Sequence, residues 1–93
     1  MSVEFLASKY IASAEKVFAE LERKPTPISV SEETVEAVLS WATDYLNDAK
    51  YYKQQGKLET SLTSVAYCEG LLDALRLIGA VNFQWPTKQP NQE

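Results

Sequence analysis

The sequence predicts an all-α protein, an antiparallel up-and-down three-helix bundle with an extended C-terminal tail packed on it, and three observations predict it. Apolar residues recur at spacings of three and four through three long stretches. The prolines, Pro25, Pro27, Pro86 and Pro90, all lie outside those stretches. The 93 residues carry 45% apolar and 24% charged content, which suits one ordinary globular core and leaves no room for two. The expected organisation is a single domain over residues 1–86, with helices at about 3–23, 32–55 and 58–78, followed by a flexible, polar tail at 87–93.

The first helix rests on Val3, Leu6, Tyr10, Ala14, Val17 and Leu21, a single face that Ala7, Ile11 and Phe18 widen. Phe5 is the one large apolar residue off that stripe. The run Lys24-Pro-Thr-Pro-Ile-Ser-Val30 ends the helix, because proline has no amide proton and pushes the residue before it toward extended backbone. Ser31 is placed to cap the second helix, with Glu32, Glu33 and Glu36 at the positive end of its dipole.

The second helix has the clearest pattern of the three: Val35, Val38, Leu39, Ala42, Tyr45, Leu46, Ala49 and Tyr52 share one broad face. Gly56 ends it as a left-handed residue, and Lys50, Lys53 and Lys57 lie near its negative pole. Such a short connection makes the second and third helices antiparallel neighbours.

The third helix is expected to meet the core through Leu58, Leu62 and Val65, and Gly79 to stop it. Its second half, from Tyr67 to Ile78, is apolar around most of its circumference, more than two neighbouring helices cover. One cover is the tail, where Val81, Phe83 and Trp85 alternate with polar or small residues, the period of an extended segment with one apolar side. A second copy of the protein is another.

Composition also excludes chemistry. With no histidine, the chain lacks Ser-His-Asp and Cys-His catalysis and nearly all standard zinc sites. A net charge of −4 opposes general binding to nucleic acid or to an anionic membrane. No apolar run reaches the ~20 residues of a bilayer span. A lone cysteine, Cys68, and an N-terminus without a basic leader point to a reducing cytoplasm.

Tyr45-Leu-Asn-Asp48-Ala-Lys-Tyr-Tyr52, then Gly56, then the run from Ser64 to Gly79 with its core Tyr67-Cys-Glu69-Gly70-Leu-Leu-Asp73-Ala-Leu, resembles the archaeal family known as domain of unknown function 357. The resemblance covers most of the second and third helices. It implies an up-and-down three-helix fold and a cytoplasmic archaeal source, and it brings no activity. Some domains similar to this family are attached to nucleotidyltransferase-like domains, which implies an accessory role beside such an enzyme or an RNA-handling partner. A weaker likeness is to HEPN-type helical domains, whose RNA-cleaving members use an Arg and a His; without histidine that activity does not carry over.

Several groups of residues have a chemical reading beside a structural one. Asp44 with Asp48, and Glu69 with Asp73, are each four apart on a helix, and if the two pairs converged they would hold Mg²⁺ for nucleotide processing. Solvated charge on the outer shoulder of a helix is the plainer account of Asp44 and Asp48. Glu69, Asp73 and Arg76 read as an ion-pair network at a core edge. Gly70, costly inside a helix, reads as a site of close helix approach. The three lysines read as dipole compensation before a phosphate patch, and Cys68 as a small buried apolar residue before a reactive thiol. No cofactor and no catalytic residue is expected.

The leading expectation is a protein-interaction or self-association module, with a protein partner or a second copy docked on Phe5, Trp41, Leu71, Leu75, Ile78, Phe83 and Trp85.

Overall fold

Three helices form where the spacing predicts them. The computed structural model describes residues 2–24 and 26–86, and the expected flexible tail at 87–93 lies outside them. The helices are α1, Val3–Glu20; α2, Glu32–Gln54; and α3, Leu58–Leu77, and no strand occurs among the described residues. The protein is all-α.

The helix ends follow local chemistry. Ser31 Oγ accepts from the amide of Thr34 at 3.1 Å, capping α2 as its position predicts, and Ser2 does the same for α1 through the amide of Phe5 at 3.0 Å. Gly56 and Gly79 take φ of +76° and +82°, the left-handed region that ends α2 and α3. The first helix ends at Glu20, three residues before the expected Arg23, since Leu21 is already extended at ψ 150°.

Close helix packing joins α2 to α3. Near the connection Ser61 Oγ donates to the carbonyl of Ala49 at 2.7 Å; further along, the Tyr45 and Tyr67 rings stack with centroids 4.4 Å apart. At the far end Val35 and Ile78 border one depression. As the α2 number falls the α3 number rises, so the pair is a helical hairpin. Its seam is built from small residues: Ala42, Ala49 and Cys68 are buried, with Leu75 beside them at 3% exposure. Small side chains let two helix backbones approach closely.

The face that α3 turns to α2 differs from the expected one. Ser61, Ser64, Val65, Cys68, Leu71, Leu72 and Leu75 are the covered positions, whereas Leu58 and Leu62 are exposed. At 100° per residue, this face is rotated by roughly 80° from the Leu58, Leu62 and Val65 stripe. Ser61 is tolerated at the seam because its hydroxyl has a carbonyl partner there.

No residue of α1 is buried, and its backbone does not closely approach either of the other helices. Its expected core stripe is open to solvent at Val3, Tyr10, Val17 and Leu21, and Phe18 is 79% exposed. The N-terminal half of α1 lies across a cleft from Glu59, Thr60 and Thr63 of α3, so apolar side chains there meet a polar shoulder. The radius of gyration is 16.2 Å, against about 12 Å for a compact chain of this length.

After Gly79 the chain is extended, and Val81 and Phe83 are half-buried while Asn82 and Gln84 are exposed, the alternation the sequence predicts. Phe83 and Trp85 meet edge to face with centroids 5.0 Å apart, and the Arg76 guanidinium lies 5.5 Å from the Phe83 ring. The tail is therefore laid back over the second half of α3.

Candidate functional site

Two open features and one latch carry the chemistry-bearing side chains: a groove on α2, a cleft between α1 and α3, and the contact of the tail with α3. The first feature is a groove along one shoulder of α2, lined by Trp41, Asp44, Tyr45 and Asp48, with a volume of about 330 Å³. Trp41 is 61% exposed and also borders a neighbouring depression with Ser31, Thr34 and Val38, so one indole separates two hollows. Tyr45 closes the inner side of the groove and is held there by its stack on Tyr67.

The second feature is the cleft of about 610 Å³ between α1 and α3, whose walls are Val3, Leu6, Ala7 and Tyr10 on one side and Glu59, Thr60 and Thr63 on the other. By helical position, Thr60, Thr63, Tyr67, Leu71 and Ile78 share one shoulder of α3. Through the Tyr45 to Tyr67 stack that shoulder adjoins the Trp41 shoulder of α2. The two shoulders together make a long, partly aromatic trough on one side of the hairpin.

The latch is the group of Asp73, Arg76, Phe83 and Trp85. Asp73 Oδ1 accepts from Trp85 Nε1 at 2.8 Å and from Arg76 Nη2 at 3.1 Å. The Trp85 hydrogen bond first, and the Arg76 hydrogen bond and charge after it, hold the Asp73 carboxyl below its ordinary value of 3.8. Asp73 and Arg76 thus form the ion pair expected from the sequence, and Trp85 joins it from the tail. Glu69 is exposed on the same helix.

The four carboxylates of the Mg²⁺ reading do not converge. Among the described residues no three Asp, Glu, Cys or His side chains come together in a way that holds a metal ion. Asp44 and Asp48 lie on the Trp41 groove, while Asp73 is engaged by Trp85 and Arg76.

The residues expected to form a docking surface fall into different environments. Phe5, Trp41 and Ile78 are exposed, Leu71 is half-buried, and Phe83 and Trp85 belong to the latch. Leu75 is internal, part of the seam with α2. Cys68 is also in that seam, and burial, followed by the neighbouring charge of Glu69, pushes its thiol above the ordinary 9.0. A thiol so placed is a packing group, not a nucleophile. Lys50, Lys53 and Lys57 are exposed at the end of α2.

Close helix approach does not explain Gly70: a Cβ built there meets nothing within 4 Å. Sequence reasoning also passed over the trough, because Tyr45 and Tyr67 read as core residues. The signal that finds it is the pairing of Trp41 with Tyr45 on one shoulder, four residues apart. No helix among the described residues is long and apolar enough to cross a membrane.

A family model described as "Protein of unknown function (DUF357)" matches residues 9–81. No curated protein and no solved structure matches the chain.

Proposed function

The chain belongs to the DUF357 family of proteins of unknown function, and from that premise we propose that it is a helical self-association module of the cytoplasm whose folding unit spans residues 1–86. The observation that carries this reading is α1. It is an 18-residue helix with an apolar stripe and a capped N-terminus, and none of its residues is buried. An isolated helix of this length is marginal in water unless its apolar face is packed.

The chain's accessible surface supports the same reading. It is 8361 Å², where a compact monomer of this mass exposes about 5,400 Å². That figure covers the whole chain, so the share that bears on association is the apolar surface α1 leaves open at Val3, Tyr10, Val17 and Leu21, whose burial is favourable at roughly 25 cal/mol per Å². Among the described residues the Mg²⁺ alternative has no cluster of three metal-ligating side chains in its support. An accessory role beside a nucleotidyltransferase or RNA-handling enzyme has no feature of the described residues in its favour.

Thermal unfolding at two concentrations a hundredfold apart tests the proposal. If folding is coupled to association, the midpoint rises by several degrees with concentration, because mass action over that range is worth about 2.7 kcal/mol. A midpoint independent of concentration overturns it.

A further inference from the structure

We infer that the groove on α2 docks a basic segment of a partner protein, with an arginine side chain laid between Trp41 and the carboxylates of Asp44 and Asp48. This surface is separate from the α1 stripe that carries the self-association reading. The indole of Trp41 is 61% exposed and borders two hollows. One, of about 330 Å³, holds Asp44, Tyr45 and Asp48. The other, of about 350 Å³, runs toward the start of α2 past Val38 and Ala37 to Glu33.

The free chain presents the complement of a cation here. Asp44 and Asp48 are like charges at i and i+4 on one side of α2, an arrangement that weakens a helix and that an opposite charge beside them relieves. No lysine or arginine among the described residues lines either hollow. The ion pairs of those residues, Lys16 with Glu20 and Arg76 with Asp73, lie elsewhere. An indole is the side-chain ring that attracts a cation most strongly. Tyr45, half-buried and stacked on Tyr67 with centroids 4.4 Å apart, fixes the inner wall, so binding needs little ordering there.

Charge and spacing select the occupant. Glu33 and Asp48 stand about 22 Å apart along the axis of α2, at ~1.5 Å per residue, with Ala37, Val38 and Trp41 between them. Acid at both ends and an apolar middle match cations separated by apolar side chains, the pattern of a polypeptide and not of a simple polyamine. The same three carboxylates repel the phosphates of a nucleic acid. Arginine suits the acidic end better than lysine, because a planar guanidinium stacks on an indole while its fork of N–H groups reaches a carboxylate.

The experiment titrates the ¹⁵N-labelled full chain with a capped hexapeptide of alternating arginine and leucine, which spans about 20 Å when extended, and follows both indole N–H resonances. The Trp41 signal is expected to shift and saturate, while that of Trp85, bonded to Asp73 at 2.8 Å, stays in place. The same peptide with citrulline for arginine, alike in shape and without the charge, is expected to bind on the order of tenfold or more weakly. An unmoved Trp41 indole, or equal affinity for the two peptides, overturns the proposal. Spermine that moves the Trp41 indole at the same concentration as the peptide assigns the groove to a free polyamine and overturns a protein partner.

Asp44→Asn combined with Asp48→Asn is expected to lower the peptide affinity on the order of tenfold or more. All positions changed are exposed, so the fold tolerates the substitutions. Glu15→Gln combined with Glu22→Gln removes the same charge from exposed positions outside the groove and is expected to change the affinity by no more than about twofold, since screened charges a Debye length away contribute little. Equal losses in the two double variants mean that the peptide responds only to the net charge of −4, which overturns the site.

Discussion

The indole Nε1 of Trp85 donates to Oδ1 of Asp73 at 2.8 Å, tying the extended tail to the C-terminal part of α3. The same oxygen accepts from Arg76, whose guanidinium faces the Phe83 ring, so four side chains from two segments share one small network. It covers part of the apolar excess of α3 with chain that would otherwise be free.

The latch has a defined pH dependence. The folded state holds the Asp73 carboxyl below its ordinary 3.8 through Trp85 first and Arg76 second. Its contribution is therefore complete above the unfolded value and is lost as pH falls through the lower, folded one. The Trp85 indole proton resonance should stay constant from pH 7 to about 4 and titrate with a midpoint below 3.8. Asp73→Asn should remove that titration; an indole signal that moves near neutral pH would contradict the assignment.

Ser61 anchors the neck of the hairpin through its bond to the Ala49 carbonyl at 2.7 Å. Ser61→Ala leaves that part-buried carbonyl without its side-chain donor. A loss of about 0.5–1.5 kcal/mol is expected in urea denaturation, with the helical content of the folded state unchanged.

Leu75 is the largest of the buried seam residues. Leu75→Ala should cost about 2–5 kcal/mol, a large part of the 5–15 kcal/mol that holds an ordinary domain together. Ile78→Ala, three residues on and exposed in the single chain, should change monomer stability by no more than about 0.5 kcal/mol. Equal losses at the two positions, measured at a concentration where the protein is monomeric, would contradict the burial described here.

Gly56 and Gly70 should respond oppositely to alanine. Neither has an atom within 4 Å of a built Cβ, so only the backbone decides. Gly56 sits at φ +76°, where a Cβ costs about 1–2 kcal/mol. Gly70 lies inside α3, where alanine gains roughly 0.5–1 kcal/mol. Thermal melts of the two variants check both signs.

Much of this fold is legible in the sequence because it depends on local chemistry. Ser31 caps and Gly56 turns for reasons confined to a few residues, and the alternation of Val81, Phe83 and Trp85 needs only a neighbouring apolar helix to become a covering strap. The rotation of α3 was not legible. A helix apolar around most of its circumference offers no unique stripe, and the seam formed instead where small residues, Ser61, Ser64 and Cys68, meet Ala42 and Ala49. Leu75 is internal for that reason. The position of α1 was hidden as well: its spacing states that one face must be covered but not by which chain, and the nearest surface in its own chain is the polar shoulder of Glu59, Thr60 and Thr63. Of the candidate carboxylates, i and i+4 spacing placed each pair on one helical side, but whether two pairs converge depends on the rotation that periodicity did not fix.

Sedimentation equilibrium across micromolar to millimolar protein addresses self-association most directly. The open stripe of α1 and the open trough of the hairpin predict a dimer at the upper end, dissociating on dilution. A single species of 10.4 kDa at every concentration would contradict it.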